Sequence, residues 1–127
     1  VCARVSGSGE LEVANAGHCP PLVRRGARVE SLPSTGLPLG LFTQGRCGTV
    51  CRSLDAGDAV LLYSDGLSEA TSPSGEEYGF ERPARVLERG RGLRPRELVR
   101  AVLEDLAAFQ GEAPRNDDLA LLVLARD

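Results

Sequence analysis

The sequence is short of basic residues relative to acidic ones, and it contains no long apolar run. Its 15 Lys and Arg residues are all Arg and are outnumbered by 18 Asp and Glu, which gives a net charge of −3 and a pI near 5.2. No general basic surface is therefore expected for nucleic acid or an anionic membrane. No run approaches the ~18 to 20 apolar residues of a membrane-spanning helix, and no basic segment followed by an apolar one begins the chain. We expect a cytoplasmic protein without nucleic-acid or membrane partners.

Methionine is absent as well. A complete translation product begins with Met unless it has been processed, and the first residues, VCARV, already alternate as a strand does. We therefore expect part of a longer protein, cut in or just before a strand. The 127 residues, 42% of them hydrophobic, correspond to about one domain and are enough to bury a core.

Cysteine is present but sparse, with four residues that do not form the dense framework of a secreted disulfide protein. The segment CGTVC, from Cys47 to Cys51, and the pair His18-Cys19 raise zinc as an alternative. Their spacing departs from the usual C-x2-C pairs, so we expect no zinc site. We expect His18 to hydrogen-bond the loop backbone rather than to act in catalysis.

Short apolar or alternating segments separated by Gly, Ser, Asp and Pro predict strands that pair in an antiparallel manner. These segments are residues 1–5, 10–14, 22–25, 29–32, 49–54, 59–63 and 119–124. Helices are predicted at 80–89 and 95–109, the latter with an apolar stripe of Leu98, Val99, Val102, Leu103, Leu106 and Phe109. Strands first and helices later indicate an α+β layered domain.

The loop at 33–42, PSTGLPLGLF, holds prolines and glycines among leucines. We expect it to be an ordered apolar loop that covers the core.

The stretch AVLLYSDGLSEA, residues 59–70, contains the first candidate functional residue. The apolar run 59–63 predicts a strand buried on both faces, and it stops at Ser64-Asp65-Gly66, where Asp and Gly favour a turn. Asp65 is thereby placed at the end of a rigid strand, where a charged group is well positioned for chemistry. A purely structural Asp-Gly turn is the alternative.

A second acidic pair, Asp117-Asp118, precedes the last predicted strand. If that strand lies antiparallel beside 59–63, the acids converge at one edge of the sheet, about 5 Å apart across the ladder. If the two strands are parallel, the acids lie at opposite ends. The helical segments between them permit either arrangement.

Converging carboxylates repel one another unless a cation lies between them. Oxygen ligands select hard ions such as Mg²⁺, Mn²⁺ or Ca²⁺, and two such ions can activate a bridging water for attack on a phosphoryl group. The alternative is two acidic turns at a sheet edge with no metal.

Four segments occur in the order NAGHCPPLV, GLPLGL, LDAGDAVLLYSDGLSEATSPSGEEYG and DDLALLVL, and together they span about 15–124. This ordered set resembles the PPM-type metal-dependent protein phosphatases, in the bacterial branch typified by the sporulation stage II phosphatase and the stress-response sigma-regulator phosphatases. The resemblance implies an antiparallel β-sandwich flanked by helices that holds two Mn²⁺ or Mg²⁺ ions. It also implies a phosphorylated protein substrate, such as an anti-sigma-factor antagonist.

The resemblance assigns roles to individual residues. Asp65 matches the metal-binding Asp of the SDG motif, and Asp117 matches the metal-binding Asp of the final acidic motif. Asp118 occupies the adjoining position, where related eukaryotic enzymes carry Asn, and is a candidate to support a ligand rather than to bind metal. Gly66 is similar to the turn residue that lets the backbone approach the site. No residue is assigned to direct catalysis.

The family's upstream acidic motifs, of the forms GGD-x-x-D and D-x-x-GHG, do not occur in these residues. The resemblance therefore implies that residues 1–127 are the C-terminal two-thirds of one N-terminally truncated PPM-type domain with at most half of a metal site. Three functions stay open: a serine/threonine phosphatase in the intact parent, a non-catalytic regulatory module that binds a protein partner, and a small β-rich binding domain without metal.

Overall fold

The computed structural model describes residues 1–42, 45–114 and 117–127. The described residues form three helices, α1 (Asp65–Ser68), α2 (Glu81–Arg89) and α3 (Pro95–Gln110). They also form the strands β1 (Cys2–Val5), β2 (Glu10–Ala14), β3 (Leu22–Arg25), β4 (Arg28–Ser31), β5 (Val50–Ser53), β6 (Ala59–Tyr63) and β7 (Leu121–Ala125). Within the described residues, no helix has the length and hydropathy needed to cross a lipid bilayer.

The strands form two sheets, one in the order β1-β2-β5 and the other in the order β4-β3-β6-β7. Neighbouring strands in both sheets are antiparallel. The predicted α+β class with antiparallel sheets and helices is therefore confirmed.

Strand β6 carries apolar side chains on both of its faces, as its unbroken apolar run predicts. Val60 packs between the sheets with Leu11 and Val13 of β2, whereas Leu61 and Tyr63 point to the opposite face and pack against α2 and α3. The layers are thus a sheet, a second sheet and a helical layer, with β6 buried in the middle.

Helix α3 begins at Pro95, where the missing N–H of proline has no cost, and the Glu97 carboxylate accepts a 2.8 Å hydrogen bond from the Arg94 N–H. The buried stripe repeats every four residues as Leu98, Val102 and Leu106. The prediction that Leu103 belongs to this stripe is wrong, because its side chain is 38% exposed.

The loop at 33–42 does not cover the core, which corrects the prediction. Leu39 and Leu41 are 79% and 73% exposed, and Phe42 is exposed as well. Leu32, just before the loop, already fills the core position, and the Asn15 carbonyl fixes the backbone by accepting hydrogen bonds from the N–H groups of the residues at 35 and 36. The leucines that follow are directed into solvent.

Arg24 is buried on the face of β3 that meets α2, with 1% of its surface exposed. Its Nη1 donates to the carbonyls of Leu87 and Gly90 at 3.2 and 2.8 Å, and its Nη2 donates to the Gly57 carbonyl at 2.7 Å. Burial lowers the pKa of the guanidinium, and the charge of Asp58 opposes that effect. Arg24 therefore satisfies carbonyls at the end of α2 and ties that helix to the turn before β6.

We expect Arg24→Leu to destabilise the protein by about 2 to 4 kcal/mol, because buried carbonyls lose their donor. The matched control is Arg25→Leu, since Arg25 is exposed and its ion pair with Glu30 is 4.0 Å long. The control should cost no more than about 1 kcal/mol. Urea unfolding of both variants measures the difference, and equal losses would contradict the assigned role.

Candidate functional site

The register of β6 and β7 brings the candidate acids to one edge of the sheet. Tyr63, the last residue of β6, lies opposite Leu121, the first residue of β7. Asp65 follows that pair and Asp118 precedes it, so both lie beyond the same end of the ladder. The antiparallel arrangement therefore holds, and the parallel alternative is excluded.

Ser64 connects the two segments directly. Its N–H donates to the Ala120 carbonyl at 3.0 Å, its Oγ donates to the Asp118 carbonyl at 2.9 Å, and the same Oγ accepts from the Ala120 N–H at 2.9 Å. Ser64 is at the N-cap position of α1 but makes no cap hydrogen bond there, because its hydroxyl is used across the strands. The sequence indicates Ser64 only as part of a turn. It does not predict this contact across the strands, because a Ser before Asp-Gly is also typical of the residue that caps a helix.

Gly66 makes the close approach of the two segments sterically feasible. A Cβ at this position would lie 2.3 Å from the Asp118 carbonyl oxygen and 2.9 Å from its carbonyl carbon. Any side chain would therefore push the segment of Asp118 away from the start of α1. Helix α1 starts at Asp65 and therefore includes Gly66.

The two candidate ligands are held in the same local way. Asp65 Oδ1 accepts a 3.0 Å hydrogen bond from the Gly66 N–H, and Asp117 Oδ1 accepts a 2.7 Å hydrogen bond from the Asp118 N–H. Both side chains are exposed, and within residues 1–42, 45–114 and 117–127 neither forms an ion pair with an arginine. Among the residues that the structure describes, the Oδ2 atoms of both carboxylates make no hydrogen bond. An oxygen-only pair of this kind suits a hard divalent cation.

These acids supply only part of a coordination sphere. Among the described residues, no three His, Cys, Asp or Glu side chains are grouped closely enough to hold a metal ion. Residues 115 and 116, which the sequence places directly before Asp117 and Asp118, lie outside the described residues.

Two further groups near Asp65 are kept uncharged by burial. Burial raises the pKa of the Cys19 thiol; a hydrogen bond with Ser68 opposes this, and the negative charge of Asp65 adds to it. Burial also raises the pKa of Tyr63 to about 12, and its hydroxyl has no hydrogen-bond partner within the described part of the chain. Neither group adds negative charge beside Asp65 at neutral pH.

His18 lies in the loop before Cys19 and interacts with the loop backbone, as predicted. Its Nδ1 is 3.2 Å from the Cys19 carbonyl oxygen, and its N–H donates to the Asn15 side chain at 2.8 Å.

Comparison with solved structures identifies the class of fold to which this chain belongs. The SiaA-PP2C domain of Pseudomonas aeruginosa superposes with a TM-score of 0.81 at 26% identity, over 94% of this chain and 48% of that one. The manganese-presoaked phosphatase domain of the cell fate determinant SpoIIE from Bacillus subtilis gives a TM-score of 0.71 at 18% identity, over 99% of this chain and 55% of that one. The fold is therefore that of PP2C phosphatase domains, of which this chain covers a part.

The family assignment follows from the sequence match. The family described as Stage II sporulation protein E (SpoIIE) matches residues 2–127, and the chain belongs to this family. The phosphoserine phosphatase RsbU of Bacillus subtilis is 29% identical over 92% of this chain and 35% of its own length. The chain spans 13 to 35% of the length of the curated relatives it matches.

Proposed function

We propose that the protein containing this chain is a metal-dependent protein serine/threonine phosphatase, and that Asp65 and Asp117 bind one of two Mn²⁺ or Mg²⁺ ions. The observation that carries the proposal is the antiparallel pairing of β6 with β7, which puts both acids at one edge of the sheet. We also propose that residues 1–127 form the C-terminal part of the phosphatase domain, consistent with their covering 48% of the SiaA-PP2C chain.

The chain's own residues position and orient these ligands. Ser64 joins the two segments through its hydroxyl and backbone, and Gly66 allows them to approach. The N–H groups of Gly66 and Asp118 each orient one carboxylate. Divalent ions at such a site lower the pKa of a bound water and offset charge on the phosphoryl group. Asp118 contributes its backbone, which fits a supporting role rather than that of a ligand.

The proposed substrate is a phosphoserine or phosphothreonine on a regulatory protein, for example an anti-sigma-factor antagonist. The similarity to RsbU, which is named as a phosphoserine phosphatase, supports the phosphoserine part of this proposal.

The test uses the full-length protein and a phosphoserine peptide. We expect hydrolysis with Mn²⁺ or Mg²⁺, loss of hydrolysis with a chelator, and recovery when the metal is restored, because the carboxylates need a cation to act on the phosphoryl group. Phosphate release measures each step. Hydrolysis that is unchanged by chelation would contradict the proposal.

The alternative is a non-catalytic regulatory module that binds a protein partner. The exposed Leu39, Leu41 and Phe42 favour it, because apolar side chains exposed side by side often mark interaction surfaces. Absence of phosphate release at every metal concentration, together with binding of a partner protein, would support this alternative over the phosphatase.

A further inference from the structure

A pocket of about 220 Å³ is lined by Asp117, one of the two candidate ligands, and by Gly66, and it reaches the end of α3. Three carboxylates line it, those of Glu69, Glu77 and Asp117, and no arginine of the described residues does so. Its apolar part includes Leu106 and Leu119. The described lining of the pocket is therefore acidic with an apolar wall, and it includes Asp117, one of the proposed metal ligands.

Gln110 is the observation that points to a ligand. It follows Leu98, Val102 and Leu106 at intervals of four residues, so it occupies the buried stripe of α3, where an apolar side chain is the usual choice. It is only 8% exposed, and it lines the pocket. Within the described part of the chain its carboxamide makes no hydrogen bond, and the amide atoms are not fully enclosed by protein, so they are available to a molecule in the pocket.

The chemistry of the lining selects an organic cation. The carboxylates and the carboxamide oxygen accept hydrogen bonds, whereas the described residues do not group three carboxylates closely enough for one metal ion. The volume equals that of about seven water molecules, which is enough for a guanidinium or ammonium group with part of its aliphatic stem. Leu106 and Leu119 can pack against that stem.

We propose that this pocket binds the side chain of an Arg or Lys located near the phosphorylated residue of the substrate protein. The proposal rests on the proposed function, because Asp117 lies both in the pocket and among the proposed metal ligands. When the substrate protein binds, one segment of it supplies both the phosphate at the proposed metal site and the basic side chain in the pocket. The chain thereby selects phosphoproteins with a basic residue beside the phosphoserine.

The test compares phosphoserine peptides on the full-length protein, with one Arg moved residue by residue along the flanking positions. Citrulline replaces Arg in the matched peptides, since it keeps the shape and removes the charge. The variant is Glu77→Gln, and the control is Glu76→Gln, because Glu76 adjoins Glu77 in the chain but does not line the pocket. Hydrolysis of p-nitrophenyl phosphate reports the chemistry without the peptide.

At one position we expect the Arg peptide to exceed its citrulline counterpart about fivefold in kcat/KM, mainly through KM. Glu77→Gln should remove this preference while p-nitrophenyl phosphate hydrolysis is unchanged, and Glu76→Gln should retain it. The preference should also weaken as salt is added. Equal hydrolysis of Arg and citrulline peptides at every position would overturn the proposal. Equal loss of the preference for Arg in Glu77→Gln and Glu76→Gln would overturn it as well.

A binding measurement separates this inference from the proposed function. Fluorescence anisotropy with non-hydrolysable phosphonate versions of the peptides detects a preference for Arg whether or not turnover occurs. If p-nitrophenyl phosphate is not hydrolysed but the Arg peptide binds more tightly in a manner that depends on Glu77, the phosphatase proposal fails and the pocket stands. If hydrolysis occurs and Arg and citrulline peptides bind equally, the pocket proposal fails alone.

Discussion

Asp65→Asn is expected to reduce metal-dependent phosphate release by the full-length protein at least about a hundredfold, since even residues that only support a metal ligand cost ten- to a hundredfold when changed. The substitution keeps the shape of the side chain and its acceptor for the Gly66 N–H, but it removes the negative charge that the cation requires. The fold should be unaffected because Asp65 is exposed.

The matched control is Asp55→Asn. Asp55 is an exposed aspartate in the turn before β6, at the other end of the strand from Asp65. Phosphate release and urea unfolding should both stay close to those of the unmodified protein. Comparable activity losses in the two variants would mean that Asp65 has no special role.

Gly66→Ala is expected to destabilise the protein by about 1 to 3 kcal/mol, because a methyl group would contact the backbone of Asp118 and force the segments apart. The new Cβ would lie 2.3 Å from the Asp118 oxygen, so backbone and not a flexible side chain must move. Since a displacement of about 1 Å at a reacting site can cost a hundredfold in rate, activity should fall about a hundredfold. Urea unfolding and phosphate release measure the two effects separately.

Gly7→Ala serves as the control for this substitution. No atom lies within 4 Å of a Cβ built at Gly7, which is in the turn between β1 and β2. The free energy of unfolding of the Gly7→Ala variant should differ from that of the unmodified protein by no more than about 0.5 kcal/mol. If Gly66→Ala were as well tolerated as Gly7→Ala, the close approach of the two segments would not matter to the protein.

The regular part of the fold could be predicted from local sequence. The strands β2, β3 and β6 have the predicted bounds, and α3 differs by one residue at its end, because alternation, apolar runs and the Pro95 start signal are local properties. The bounds of β7 moved from 119–124 to Leu121–Ala125 because Ser64 engages the residues just before the strand. Such a contact joins residues more than fifty positions apart and leaves no local signal.

The candidate site was only partly predictable for the same reason. The motif around Asp65 indicates a turn that carries a carboxylate, but the partner of that carboxylate depends on how β6 pairs with β7. Gln110 was not singled out, because one polar residue at the end of an amphipathic helix is typical of solvent exposure. The exposed leucines at 39 and 41 show the reverse case, in which apolar residues predicted to be buried lie at the surface.

The claim that Asp65 and Asp117 bind the same ion is tested most directly by Mn²⁺ binding to the full-length protein in a double-mutant cycle. Calorimetric titration would compare the unmodified protein, Asp65→Asn, Asp117→Asn and the double variant. If the two carboxylates share an ion, either single substitution should remove most of that ion's affinity, and the double variant should lose little more than either single one. If the two single losses of Mn²⁺ binding free energy add up in the double variant, or if Asp117→Asn binds Mn²⁺ as the unmodified protein does, the shared site is contradicted.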